Sequence, residues 1–425
     1  MKRTFQSFVF GCRVNEAERI KMDSELIQAG FSVDLASPSF IIINTCAITG
    51  KAEREAKQLI MQLKRKHPEA KIVLTGCSAT LWKKYENESV KIVDIIISND
   101  QKSKLVSLLS TYGVVKAEKI QPQPNQDKFR YSNRLLVKIQ DGCHRFCSYC
   151  IVPYLRGTPQ SQSIKDIVAY INSFSPTPSE VVLSAINTES FGKDTGETLI
   201  ALIKAVLQET SVQRIAFGSI HPWSLTDEFI EYYKNELSKE ERFVHFFHVP
   251  IQSGSQSMLK LMRREYDIAD IFKRLKAIQN SRKDALIASD VIVGYLGETE
   301  ESFSETLKVL TKSVISRLHV FRFSNRAHTA AYYLKKQYNE PSALQKKERS
   351  QNLIALSKTK MGSFAKNLVG MTVGALVIRS NQEGTRVLLH NHVEGIIPKK
   401  KALPGQLMRV TILAAKDGVC ICKES

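Results

Sequence analysis

Residues 135–157 read LLVKIQDGCHRFCSYCIVPYLRG, and this stretch decides the reading of the whole chain. RLLVKI has the apolar, β-branched character of a strand. The loop that follows it carries Cys143, Cys147 and Cys150 in a C-x3-C-x2-C pattern. In a β/α barrel, the loops after the strands form the active face. Structural zinc takes four ligands, usually as two spaced pairs. Here three cysteines are clustered, and His144 is badly placed to be a fourth ligand. Three thiolates on an iron–sulfur cubane leave one iron open. Close spacing is what three corners of one small cube require. An open iron can chelate the amino and carboxylate groups of S-adenosylmethionine, and Tyr149, beside the last cysteine, could stack on its adenine. The plain alternative, three unrelated buried thiols, leaves the spacing unexplained.

Downstream of this stretch, further strands are expected at EVVLS, RIAFG, FVHFFHV, LIASDVIVG and SRLHVFRF. Helical patterns such as ETLIALIKAVLQE and EESFSETLKVLTK lie between them. Six strand–helix repeats over residues 129–358 predict an open (β/α)6 barrel. Gln252, Ser253 and Gly254 follow one of these strands and could touch a bound cofactor; a helix N-cap at Ser253 explains them equally well. Gly294, Gly297 and Glu298 follow another, where glycines permit either close cofactor approach or a turn. A basic helical segment, ALQKKERSQNLIALSKTKMGSFAKN, leads into residues 360–425. There, GALVIRS, TRVLLHN, GQLMRVTILAA and GVCICK predict a small all-β barrel. Cys420 and Cys422 share one strand face and are expected in its core. Lys399, Lys400 and Lys401 are either a solvated loop or a phosphate contact.

Upstream, residues 1–117 alternate apolar runs (SFVF, FIIIN, KIVLT) with charged helical stretches, which predicts an α/β domain with a doubly wound parallel sheet. The polar stretch QPQPNQDKFRYSN reads as the linker to the barrel. Cys12, Cys46 and Cys77 are far apart in sequence, yet each ends a strand and precedes a helix. In a doubly wound sheet those ends share one edge, where ligands bind. Gly11 and Gly76 precede two of them and allow close backbone approach. This placement suggests a second three-thiolate cluster with its own open iron; the plain alternative is ordinary buried thiols. Gly50–Lys51 is not a phosphate loop, because the first glycine of that pattern is missing.

With these motifs in hand, the chain resembles, over nearly its whole length, the radical S-adenosylmethionine methylthiotransferases that modify tRNA adenosine or a ribosomal protein. FGCRVNEAE, INTCAITGKAERE and VLTGC resemble the family's auxiliary-cluster motifs. The 135–157 stretch resembles its radical motif, and HVPIQSGSQSMLKLMRR and DVIVGYLGETEESFSETL resemble two barrel motifs. The C-terminal β zone is similar to the RNA-binding TRAM domain. The resemblance implies two [4Fe-4S] clusters, one on Cys12, Cys46 and Cys77 and one on Cys143, Cys147 and Cys150. It implies S-adenosylmethionine as methyl donor and radical source, the anticodon stem-loop of tRNA as partner, a sulfur source, and an electron donor such as flavodoxin or ferredoxin. C-R-V-N after the first cysteine is most like the branch acting on N6-threonylcarbamoyladenosine; the isopentenyladenosine branch typically reads C-Q-M-N and the ribosomal-protein branch C-P-K-N. Ser219–Ile220–His221–Pro222 is more like the isopentenyladenosine branch. Ala185, Gln162, Leu296 and His328 depart from the family pattern, which usually has Gly, Arg, Pro and Gly there.

Composition fits a polyanionic partner, nucleic acid or an acidic membrane face, as well as it fits a merely basic soluble protein: 61 Lys+Arg against 42 Asp+Glu give a net charge of +19. No apolar run approaches the roughly 18–20 residues of a membrane span. The short basic start, MKRTFQSFVFGCRVN, does not read as a signal peptide. A cytoplasmic, reducing location is therefore expected, with the cysteines as thiols or metal ligands. The competing class is a non-catalytic RNA-binding protein stapled by zinc.

Overall fold

The computed structural model describes residues 3–111 and 133–425. The expected linker around 121–132, and the boundaries at 117 and 129, lie outside the described residues. The N-terminal unit runs β1 (Thr4–Val9), α1 (Arg13–Gln28), β2 (Ser32–Val33), β3 (Phe40–Thr45), α2 (Gly50–Lys66), β4 (Lys71–Gly76), α3 (Cys77–Lys84), β5 (Ile95–Ile97) and α4 (Leu105–Thr111). Its strands form a parallel sheet in the order β2-β1-β3-β4-β5. The apolar run FIII is continuous because β3 is covered on both faces. Alternate residues go to opposite sides. Phe40, Ile42 and Val73 pack with Met22 and Leu26 of α1, whereas Ile41, Ile43 and Leu74 pack with Ile60 and Leu63 of α2 and Trp82 of α3.

The barrel follows: β6 (Arg134–Asp141), α5 (Val152–Arg156), β7 (Gln160–Ser161), α6 (Ile164–Asn172), β8 (Glu180–Ala185), α7 (Leu199–Glu209), β9 (Ile215–Phe217), α8 (Asp227–Asn235), β10 (Phe246–His248), α9 (Gln256–Leu261), α10 (Ile268–Ser281), β11 (Leu286–Val293), α11 (Glu300–Lys312), β12 (Arg317–Arg322) and α12 (Ala330–Leu334). Strands β6-β8-β9 and β10-β11-β12 are two parallel sets, bridged at Ile215 and Phe243. Leu135, Val137, Val181, Leu183, Phe217 and Ile287 pack outward on the helices. Their alternates, among them Lys138, Ser184, His248, Asp290 and His319, line the inner face. The expected strand FVHFFHV is shorter than its apolar length: only Phe246–His248 is strand, and Phe243 makes the isolated bridge.

Helix α13 (Ala343–Lys366) leads to a closed barrel of β13 (Thr372–Asn381), β14 (Gly384–Leu389), β15 (Glu394–Pro398), β16 (Leu407–Lys416) and β17 (Val419–Glu424). Ser342 and Gln345 form a capping box at the start of α13. The sequence reading lacks β15, a short segment ending in Pro398. Cys420 and Cys422 are buried in this barrel's core. That core is continuous with Val182, Ala216, Phe246 and Leu286 of the larger barrel, so the small barrel closes its amino-terminal end. There Glu180 is fully buried and meets Arg134, Arg214 and His392. Burial would raise its pKa, but His392 and the two arginines hold it well below the usual carboxylate range.

Candidate active site

The loop after β6 is folded back on itself by Gly142, whose φ is +75°; a Cβ there would lie 2.1 Å from the Thr158 carbonyl oxygen. The Cys143 amide donates to Gly157 O (3.1 Å) and the Cys150 amide to Cys147 O (2.9 Å). Ser148 anchors the centre: its amide donates to Met262 O, and its hydroxyl meets Leu261 O at 2.8 Å and the Tyr295 hydroxyl at 2.7 Å. The sulfurs are met by donors. The Arg145 amide is 3.4 Å from Cys143 Sγ, and Arg264 Nη1 is 3.7 Å from Cys147 Sγ. Burial pushes the Cys143 and Cys150 thiols up, and the neighbouring Cys147 adds to this at both. A metal bound by these thiols would therefore have to displace their protons. Three thiols on one tight loop, with cationic and N–H donors around them, fit a [4Fe-4S] cubane with one open corner.

The second set converges from three chain segments. Cys12 is the N-cap of α1, Cys46 follows β3, and Cys77 opens α3. Gly11 has φ +96°; a Cβ there would lie 2.5 Å from Cys46 Cβ and 2.7 Å from its Sγ. Gly76 has φ +93°, and a Cβ there would meet Thr45 O at 2.3 Å. These two glycines are required for the three strand ends to come together. Asn15 ties the edge by donating to Phe10 O and Thr45 O, and Ser78 Oγ donates to Cys46 O. Asn99 Nδ2 approaches Cys77 Sγ at 3.8 Å. Burial, then Cys77, pushes the Cys46 thiol up to about 12; burial also raises Cys12, where Arg156 pulls the other way. The convergent thiols and the nearby guanidinium fit an anionic iron–sulfur group.

The two sets approach the same junction between the two units. Cys77 packs with Ala47, Ile151 and Leu155, and Ile151 directly follows Cys150. Below this contact lies a buried ion network. Arg156 donates to Glu18 (2.9 Å), Asp141 (2.8 Å) and Asn15 Oδ1 (2.7 Å); Lys138 also bridges Glu18 and Asp141, and Lys102 pairs with Glu18. This is why α1 buries Asn15 and Glu18 and has no clean apolar stripe. Removing Arg156 takes from Glu18 and Asp141 a buried partner that Lys102 and Lys138 only partly replace, so Arg156→Met is expected to cost about 2–3 kcal/mol in denaturant unfolding. Burial would raise the Glu18 pKa, but Arg156, Lys102 and Lys138 hold it well below the usual range. A depressed carboxylate stabilises the fold above its unfolded pKa, and this is lost as pH falls toward the folded one. Melting temperature is therefore expected to drop below about pH 4.5, and the Arg156→Met variant should show a shallower drop, with Lys102 and Lys138 keeping the remainder.

The other expected cofactor residues divide into two groups. Tyr149 is half-buried by the cluster loop, its hydroxyl 3.0 Å from Arg264 Nη1 and its ring edge-on to Tyr295. Gln252 has φ +71° and is bridged through its backbone to Asp290 and Ile292, at the carboxyl end of the strands. Ser253 and Gly254 instead turn toward α11. Ser253 Oγ meets Thr306 Oγ1 at 3.2 Å, and a Cβ on Gly254 would lie 3.0 Å from Thr306 Cα. The N-cap position of the neighbouring helix α9 is Ser255, without a side-chain capping bond, so Ser253 is not its N-cap. Glu298 accepts from the Gly294 amide and from Arg349, and Gly297 faces Tyr338 and Leu261; these three build a turn. His328 has φ +69° where the family pattern has Gly, and its ring stacks on Tyr85 at 3.5 Å, which fastens the barrel to the N-terminal unit.

Sequence reasoning missed several residues here. Arg145 and Arg264 stack on Trp223 at 4.2 and 4.5 Å, and Arg264 also bonds Pro250 O and Tyr266. On the inner face, Ser219, His248, Asp290 and His319 form a chain: 2.7 Å from Ser219 Oγ to His248 Nδ1, 2.8 Å from His248 Nε2 to Asp290, and 3.5 Å from His319 Nδ1 to Asp290. The signal available for His248, Asp290 and His319 was alternation: each is a polar residue at an inward position of its strand; Ser219 lies just past β9 and had none.

Comparison with known proteins agrees with this anatomy. Residues 137–310 match the Radical SAM superfamily, and residues 4–98 match the family described as Uncharacterized protein family UPF0004. The chain is 32% identical to the threonylcarbamoyladenosine tRNA methylthiotransferase MtaB of Aquifex aeolicus, over 97% of this chain and 100% of that one. It is 30% identical to the tRNA-2-methylthio-N(6)-dimethylallyladenosine synthase of Lachnoclostridium phytofermentans, over 97% of this chain and 93% of that one. Among solved structures, the radical S-adenosylmethionine methyltransferase TsrM of Kitasatospora setae shares the fold, with a TM-score of 0.56 at 12% identity over 79% of this chain and 78% of that one. No helix among the described residues is long and apolar enough to cross a membrane. The chain belongs to the radical S-adenosylmethionine methylthiotransferase family.

Proposed function

We propose that this enzyme inserts a methylthio group at C2 of N6-threonylcarbamoyladenosine, 3′ of the anticodon in tRNA. The observation that carries the methylthiotransfer chemistry is the pair of three-cysteine sets, one on each unit, with Cys77 of one packed on Ile151, the neighbour of Cys150 in the other; the substrate reading is supported by C-R-V-N at residues 12–15 and by the similarity to the threonylcarbamoyladenosine enzyme of Aquifex aeolicus. In this reading Cys143, Cys147 and Cys150 hold the radical [4Fe-4S] cluster, and Cys12, Cys46 and Cys77 hold the auxiliary one. When bound, these groups and S-adenosylmethionine supply a deoxyadenosyl radical and a methylated sulfur for the adenine C2–H position.

The chain's own residues supply placement and exclusion. The Arg264–Trp223–Arg145 stack and Tyr149 wall the cofactor side of the site. Leu296, Tyr295, Met258 and Met262 close an apolar layer behind the cluster loop and keep water from it. Residues 1–117 carry the sulfur-delivering unit, 129–358 the radical barrel and 360–425 a TRAM-like barrel that takes up RNA phosphate. The net charge of +19 suits a tRNA partner. A flavodoxin- or ferredoxin-type electron donor, a sulfur source and a cytoplasmic setting belong to the same reading.

The direct test offers the reconstituted enzyme two anticodon stem-loops, one bearing N6-threonylcarbamoyladenosine and one bearing N6-dimethylallyladenosine. The expected result is a methylthiolated product from the first, detected by mass gain of the nucleoside. Product from the second alone would assign the chain to the other branch.

A further inference from the structure

We propose that Arg13 is a specificity residue: its guanidinium receives the carboxylate of the N6 substituent on the target adenosine. The inference rests on the threonylcarbamoyladenosine reading above and deepens it.

Arg13 directly follows Cys12, yet its side chain leaves the N-terminal sheet and enters the barrel. Its Nη1 donates to Gly218 O at 2.5 Å, at the carboxyl end of β9. Its Cδ passes over Gly218, where a Cβ would come within 3.3 Å of it and within 2.8 Å of Ser184 Oγ. Glycine at 218 therefore leaves the passage that the arginine occupies. Arg13 is nevertheless solvent-accessible, so a ligand can reach it. A guanidinium carries five N–H donors, and among the described residues Arg13 makes this single hydrogen bond.

The acids that act on Arg13 are already paired. Glu180 and Asp290 favour its charged form, while Arg134 and Arg317 oppose it. Glu180 is already engaged by Arg134, Arg214 and His392. Asp290 is engaged by His248 and His319. A planar donor fork with free N–H groups is left at the inner face of the barrel, which is the recognition chemistry of a carboxylate. A threonylcarbamoyl group ends in a carboxylate, whereas a dimethylallyl group is neutral. Because Arg13 adjoins Cys12, the bound carboxylate would belong to the same base whose C2 faces the sulfur-delivering site. A backbone phosphate of the RNA is the other source of an anion, and it is common to both stem-loops.

The test compares wild type, Arg13→Gln and Arg13→Lys, each reconstituted, on stem-loops bearing threonylcarbamoyl, dimethylallyl or unmodified adenosine at the target position. Equilibrium affinity is read by fluorescence anisotropy, product by mass spectrometry, and iron content is measured alongside. Arg13→Gln is expected to weaken the threonylcarbamoyl stem-loop roughly 50-fold, the effect of losing a hydrogen-bonded charge partner. It should leave the affinities for the other two stem-loops unchanged, and Arg13→Lys should recover most of the loss. Equal weakening on all three would assign Arg13 to phosphate and overturn the proposal, as would unchanged affinity for the threonylcarbamoyl stem-loop. A variant that loses iron is still decided by the affinity pattern. Wild-type activity on the dimethylallyl stem-loop alone would instead overturn the substrate reading, a failure visible without any variant.

Discussion

Replacing Cys147 with alanine is expected to abolish 5′-deoxyadenosine formation from S-adenosylmethionine. Cys147 is the most buried of its three-cysteine set and the one that Arg264 approaches. Two remaining thiolates cannot hold a three-thiolate cubane, so the open iron is lost with the ligand. The loop itself should survive, because its shape is set by backbone bonds and by Ser148, not by the sulfur. Loss of activity with a retained thermal unfolding transition is therefore the expected pair of results, measured anaerobically with a chemical reductant. Normal deoxyadenosine production in this variant would remove Cys147 from the radical centre. Uptake of about one zinc and no iron by the wild-type chain on reconstitution would favour the stapled, non-catalytic alternative.

Replacing Cys46 with alanine should separate the two halves of the reaction. S-adenosylmethionine should still be cleaved to deoxyadenosine, since the loop at 143–150 makes none of its hydrogen bonds through Cys46. Methylthio transfer should fall to background, because Cys12 and Cys77 alone leave the second site one ligand short. The side chain is also what Gly11 makes room for; alanine keeps the Cβ and removes only the sulfur, so the sheet edge should persist. Full transfer by this variant would exclude the second set from the chemistry.

Much of this was legible in the sequence, for physical reasons. The radical loop is contiguous, so the spacing of Cys143, Cys147 and Cys150 is itself geometric. The second set is not contiguous; it could be read because a parallel sheet places every strand's carboxyl end on one edge, and Gly11 and Gly76 mark the close approach. What could not be read depends on contacts between units. Arg156 looks like an ordinary basic residue until Glu18 of α1 is brought beneath it. Ser253 and Gly254 follow a strand as cofactor residues do, yet the backbone turns them onto Thr306. Arg13 was visible as part of C-R-V-N, but its entry into the barrel over Gly218 depends on how the two units dock. The short strand β15 was hidden because a small barrel closes with few residues, here ending at Pro398.

The most direct test of the central claim is mass spectrometry of nucleosides from total tRNA of cells with and without this gene. Loss of 2-methylthio-N6-threonylcarbamoyladenosine, with N6-threonylcarbamoyladenosine accumulating in its place, is the predicted result. An unchanged level of that nucleoside, with loss of the methylthio form of N6-dimethylallyladenosine instead, would contradict it.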